Sequence, residues 1–196
     1  MRLASSMRRA QLMRAAAELT LAQGHLPAPP ERLSRAAGVS KALVYVYFPT
    51  QYDLFNALLA QRLSALVAAG LDAASALPSL EAAAAQAASL YFDDVASNGP
   101  LVHLILRDRY MVGHVSADNR RIRDRVMRRL ARAGRRQLGL GAKEAVAALG
   151  LIATIPEEAG RLAASGEMTS ERAKALCLDL VQASVTAFRA GDRTAS

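Results

Sequence analysis

The sequence predicts an all-α protein, and composition and periodicity both point that way. Alanine abounds among its 196 residues and Trp is absent, a balance that favours helices. Few segments alternate with period two, while apolar residues recur three and four positions apart, as one face of a helix requires. Hydrophobic residues make up 52% and charged ones 21%. Such a chain is globular, with length for one to two small domains and a core. The net charge of +8 favours an anionic partner.

The first stretch, Met1–Ser6, reads as a loose arm whose Arg2, with Arg8 and Arg9, is placed to touch phosphates. Met7–Gln23 reads as an amphipathic helix with Leu12, Ala16 and Leu19 on one face, ended by Gly24. Pro27–Pro30 is a linker. Glu31–Ala37 forms a short helix, and Gly38 supplies a left-handed turn at no Cβ cost. Val39 plugs the angle between two helices, and Ser40 N-caps the next one, Lys41–Tyr47. Pro49 stops that helix. Thr50 and Asp53 form a capping pair for a longer helix, Gln51 to about Gly70, with Leu54, Phe55, Leu58 and Leu66 inward. Two short helices crossing at a glycine turn are a helix-turn-helix, whose second helix fits the DNA major groove.

The tail Tyr45-Val46-Tyr47-Phe48-Pro49-Thr50, together with Gly24 and Ala37-Gly38-Val39-Ser40-Lys41, resembles the tetracycline-repressor (TetR) family of bacterial transcriptional regulators. The resemblance runs from about Arg9 to Leu59. It departs from the family at Pro29, where Thr often starts the helix, at Ser34 (often Ala), at Leu43 (often Thr or Ser) and at Gln51 (often Lys). Two phosphate contacts are thereby lost, although Pro29-Pro30 still suits a helix start. His25 sits where the family usually has an aromatic, so it is expected to pack at the corner. With Val44 as core anchor, about 100° per residue turns Phe48 and Tyr47 inward and Ala42 and Val46 outward, flanked by Leu43 and Tyr45. Lys41 is the candidate for a guanine edge, and Ala42 and Leu43 for thymine methyls. The resemblance implies that Tyr45 and Tyr47 reach phosphates through their hydroxyls. Ser40 and Thr50 complete the DNA-binding set, Thr50 offering hydroxyl and amide at a helix start.

Beyond this segment the expected elements are all helical. Leu77–Ser97 is a helix carrying Leu80, Leu90 and Tyr91-Phe92, broken by Asn98-Gly99-Pro100. Leu101–Gly113 reads as one buried helix. The next begins at Ser116-Ala117-Asp118 and runs to about Leu138, with a narrow stripe of Ile122, Val126, Leu130 and Ala133 among arginines that surround it, which favours a solvated amphipathic helix. After a turn at Gly139–Gly141 come Lys143–Ala164, kinked at Pro156, and Ser170–Ala190, joined by Ser165-Gly166. The last two suit a helical pair docking on its copy, through Leu149, Ile152, Leu176, Leu180 and Phe188.

Little else carries chemistry. The single cysteine, Cys177, excludes an intrachain disulfide and reads as a buried apolar residue. His25, His103 and His114 lack metal-ligand spacing. The pairs Asp93-Asp94 and Glu157-Glu158 point apart on their helices, which does not suit shared proton chemistry. No catalytic set, cofactor or metal is expected. No signal peptide and no membrane span are expected, which places the chain in the cytoplasm. The expected architecture is a three-helix helix-turn-helix DNA-binding domain over residues 7–60, then a helical domain over 61–192 for effector binding and dimerisation. Tyr91, Phe92, His103, Tyr110, Met111, Met127 and Ile155 are the candidates for its ligand pocket. The expected protein is a homodimeric repressor, released by a small molecule from a palindromic operator in double-stranded DNA. The alternatives are a ligand-independent DNA-binding or architectural protein of the same fold, and an enzyme using the C-terminal cavity.

Overall fold

The computed structural model describes the backbone of residues 2–191 and the side chains of residues 5–188. Among these residues there are helices and no strand: α1 (Arg2–Gln23), α2 (Pro30–Ala36), α3 (Lys41–Tyr47), α4 (Gln51–Ala68), α5 (Leu71–Ala74), α6 (Leu80–Asn98), α7 (Leu101–Arg107), α8 (Ala117–Leu138), α9 (Ala142–Ile152), α10 (Thr154–Ala164) and α11 (Ser170–Gly191). A single 3₁₀ turn, Arg109–Met111, follows α7. Among the described residues, no single helix is long and apolar enough to cross a membrane. Contacts divide the chain into two compact units: the residues up to Arg62 with Leu101–Arg120, and Leu63–Pro100 with the residues from Arg121 onward.

The first unit is built on α1, α2, α3 and the start of α4. Leu12 and Ala16 of α1, Leu33 of α2, Val44 of α3 and Leu54, Phe55 and Leu58 of α4 are all buried. The expected arm is instead helical from Arg2, continuous with α1. Nothing in Leu3 to Ser6 breaks a helix, so propagation through them fixes only one residue per added bond. Met1 lies outside the described residues. His25 is exposed, its ring Nδ1 3.3 Å from the Leu26 carbonyl, so the corner is not packed by it.

Residues 101–120 pack with this unit, although the expected division assigns them to the second. Asn56 explains why. Its Nδ2 donates to the His114 carbonyl at 2.8 Å, its Oδ1 accepts from the Ser116 amide at 2.7 Å, and its own carbonyl accepts from Asn119 Nδ2 at 2.9 Å. Tyr52 stacks on Tyr110 at 4.7 Å and on His114 at 3.8 Å. The single helix expected over Leu101–Gly113 ends at Arg107, because Asp108 takes extended geometry and caps the 3₁₀ turn through the Tyr110 amide at 2.9 Å. Its other oxygen accepts from the Leu26 amide at 2.8 Å. A short acidic side chain offering the backbone such bonds competes with helix continuation.

In the second unit α6 lies against α10 and α11. A buried cluster joins Leu80, Ala84, Ala88 and Phe92 of α6 to Ala173, Cys177, Val181 and Val185 of α11. Cys177 is fully buried, as its neighbours predict, and burial pushes its thiol up to about 11. On α11 the buried stripe is therefore Ala173–Cys177–Val181–Val185. Of the residues expected at the dimer face, Leu180 is 46% exposed and Leu176 and Phe188 are half-buried. Ser79 N-caps α6, so that helix starts later than expected at Leu77.

The long helix expected over Lys143–Ala164 is two, broken at Ala153. Pro156 falls in the first turn of α10, where its missing amide has no intrahelical partner to lose. The break thus relieves the clash that a kink would have had to absorb. Thr154 Oγ1 donates to the Leu151 carbonyl at 2.6 Å. Where α10 meets α6, Gly160 lets the backbones approach: a Cβ added there would sit 2.7 Å from Val95 Cβ.

Candidate nucleic-acid interface

The helix-turn-helix is assembled from local bonds. Gly38 takes φ +60° at the turn, and the Val39 amide reaches back to the Ser34 carbonyl at 2.9 Å. Gln11 of α1 donates to the Ala37 carbonyl at 2.7 Å, tying the turn to the first helix. Ser40 caps α3, its Oγ accepting from the Leu43 amide at 3.2 Å. Thr50 and Asp53 cap α4 reciprocally: the Thr50 amide donates to Asp53 Oδ2 at 3.0 Å, and the Asp53 amide to Thr50 Oγ1 at 3.1 Å. Two orphan amides are thereby satisfied, as in a capping box.

These caps fix which face α3 shows. Val44 and Phe48 are buried, and the Arg9 guanidinium lies 4.9 Å from the centre of the Phe48 ring. Ala42 and Lys41 are exposed, Leu43 and Tyr47 half-buried, and Val46 is 73% and Tyr45 44% exposed. Ser40 and Thr50 are exposed at the two ends of this short helix. The seven residues singled out for DNA therefore lie together on one capped segment of the first unit, with an outward surface of one ammonium, two small or branched apolar groups and a phenol. The sequence did not disclose Glu31 as a member. Its carboxylate, in the first turn of α2, accepts from Lys41 Nζ as an ion pair. This bond from Lys41 holds the Glu31 carboxyl below its usual range and, reciprocally, the ammonium above its own. The discoverable signal was opposite charge at the starts of the two helices of one helix-turn-helix.

Residues 12–58 match the model of the family described as bacterial regulatory proteins, tetR family. The chain carries the helix-turn-helix domain of the tetR family. No curated protein matches the sequence. Among solved structures, a TetR family transcription regulator from Marinobacter aquaeolei VT8 is similar at TM-score 0.69 and 16% identity, over 94% of this chain and 98% of that one. The fatty acid degradation regulator FadR from Bacillus halodurans is similar at TM-score 0.66 and 16% identity, over 91% and 94%. The regulator FadR from Bacillus subtilis, solved in complex with stearoyl-CoA, is similar at TM-score 0.64 and 16% identity, over 93% and 98%. The tetR fold thus extends through both units, from the helix-turn-helix to the helical second unit.

The expected ligand set does not converge within either unit. His103, Tyr110 and Met111 belong to the first, and Tyr91, Phe92, Met127 and Ile155 to the second. Phe92 and Met111 are fully buried core residues. Burial, with Arg107 nearby, lowers the His103 pKa, and burial beside Tyr52 raises that of Tyr110. A cleft in the second unit lies elsewhere, among α6, α8, α9 and α11. Its walls, Leu80, Ala84, Leu138, Ala148, Ile152 and Phe188 among them, carry no polar side chain. Periodicity marks all these positions as apolar but does not reveal which line a gap.

One further expectation changes. Leu149, expected at a dimer face, is 8% exposed and packs in its own unit with Val126 and Leu130. Of the others expected there, Leu180 is exposed and Ile152, Leu176 and Phe188 are half-buried, and Val146 and Leu151 are further exposed apolar residues of the last helices. On α8, Arg121, Arg125, Arg128, Arg132 and Arg135 step by four and three and are all exposed, while Arg120, Arg123, Arg129 and Arg136 lie off that line, so arginines surround the helix as expected. Arg125 Nε and Arg129 Nη1 each hold Asp72 Oδ1 at 2.8 Å. The bond from Arg129 and the charge of Arg125 keep that carboxyl below its usual range.

Proposed function

We propose that the protein is a homodimeric, effector-responsive transcriptional repressor that reads a palindromic operator with α3. The observation that carries this reading is the capped α3, anchored inward by Val44 and Phe48 and presenting Lys41, Ala42, Tyr45 and Val46 outward. A helix so held enters a major groove, with Lys41 directed to guanine, Ala42 and Leu43 to thymine methyls, and Ser40, Tyr45, Tyr47 and Thr50 to the backbone. Residues 7–60 supply this head, and the helices of 61–192 supply effector binding and dimerisation. The exposed Leu180 and the half-buried Leu176 of α11 support a second copy as their cover. The apolar walls of the cleft favour an effector with an apolar body. One neighbour of the same fold was solved with stearoyl-CoA, which agrees with that chemistry.

Selection of bound duplexes from a randomised pool tests the reading. The expected result is an inverted repeat whose half-sites contain guanine. Lys41→Ala should relax preference at one position per half-site, by about 1–3 kcal/mol. Tyr45→Phe should weaken all duplexes alike. Failure of the wild-type protein to enrich any sequence would refute the proposal.

A further inference from the structure

The ion pair between α2 and α3 has a consequence for base readout. Lys41 is the sole cation on α3, and its ammonium is a compact charge on a four-carbon stem with freely rotating donors. Left alone, such a group reads a base edge poorly, since ordering it costs rotamer entropy. Glu31 accepts one of its three N–H bonds. The two side chains are about half exposed, at 57% and 50%, so the pair is open to solvent. Solvent-exposed pairs contribute little to stability, and Glu31 stands ten residues away on another helix. A negative charge beside a polyanion also weakens association with every duplex. A carboxylate there works against general DNA affinity and adds little to the fold, so its effect must be sought in selectivity.

We propose that Glu31 is a positioning residue for sequence readout: by fixing Lys41 Nζ through one bond, it aims the remaining two donors at O6 and N7 of a guanine. The inference rests on the DNA-binding reading above. Guanine offers two acceptors side by side in the major groove, and adenine offers one acceptor beside a donor. A tethered ammonium with two free donors separates these, whereas an untethered one takes any phosphate or acceptor in reach. The carboxylate trades general affinity for discrimination.

The test is selection and titration of the full-length wild type, Glu31→Gln, Lys41→Ala and the double variant, each checked for an unchanged thermal melt. Glu31→Gln should lower the guanine-over-adenine ratio at one position per half-site by roughly threefold, where Lys41→Ala lowers it by about tenfold. It should at the same time bind unrelated duplex more tightly. In the Lys41→Ala background, Glu31→Gln should leave base preference unchanged and still raise unrelated binding. A residue that only supports α2 would move the melt and leave the ratio alone. An unchanged ratio in well-folded Glu31→Gln overturns the proposal, and so does a sharper guanine preference, which would make Glu31 a restraint on Lys41. A wild type that selects no sequence overturns the DNA-binding reading itself, and this inference with it.

Discussion

Substituting Gly160 by alanine should destabilise the second unit, and the geometry sets how much. The added Cβ would lie 2.7 Å from Val95 Cβ, 2.8 Å from Val95 Cγ1 and 3.1 Å from the Phe92 carbonyl oxygen. Two of these atoms are fixed to the α6 backbone, so no rotamer change clears them and the helices must separate. Overpacking of this kind costs ~1–3 kcal/mol, and immobile neighbours place it in the upper part of that range. Replacing glycine inside a helix returns about 1 kcal/mol. The net expectation is a loss of ~1–2 kcal/mol, a fall in Tm of roughly 2–8 °C for a chain of this size. Gly150 in α9 is the control, because a Cβ there meets nothing within 4 Å. Gly150→Ala should therefore hold or raise Tm. Adding Val95→Ala to Gly160→Ala should rescue only in part, since it removes Cγ1 and leaves Cβ in place. Urea and thermal melts of the four proteins decide the matter. A Gly160→Ala protein as stable as wild type, or one that moves in step with Gly150→Ala, would refute the close helix contact.

Ser40→Ala removes the cap on α3 and should cost ~0.5–2 kcal/mol of stability, with the loss greater than for Ser40→Asn in the same urea titration. Leu180→Glu should yield a folded monomer by sedimentation, whereas Leu149→Glu, placing a charge in a buried cluster, should lose its cooperative melt; a dimeric Leu180→Glu protein would remove this face from the proposed interface.

Most of the head was legible because its signals are local. Gly38, Ser40, Pro49 and the Thr50–Asp53 pair each act within a few residues, and each appears where the chain order put it. The orientation of α3 is legible for the same reason: with Val44 and Phe48 inward, one helical turn settles the rest. What escaped was set by distant partners. Asp108 ends α7 by bonding Leu26, 82 residues away, and Asn56 holds residues about 60 positions further on. Glu31 and Lys41 read as two ordinary surface charges until the turn brings them together. The place of the cleft was hidden too, since a void depends on how side chains of several helices fail to fill space.

The register of α11 is set in another way. That helix is apolar on more than one side, so heptad spacing through Leu176 and Leu180 and four-residue spacing through Cys177 and Val181 fit the sequence equally. Size decided which went inward. α6 brings alanines at 84 and 88 against α11, and close helix approach admits Ala173, Cys177, Val181 and Val185 more readily than a row of leucines. The larger Leu176 and Leu180 are left toward the outside, Leu180 nearly half exposed. An aliphatic stripe of that size facing water raises the free energy of the monomer by about 25 cal/mol for each Å² that a partner would cover. The small residues that tighten the core are thus the reason α11 keeps apolar surface outward, the surface on which the proposed dimer rests.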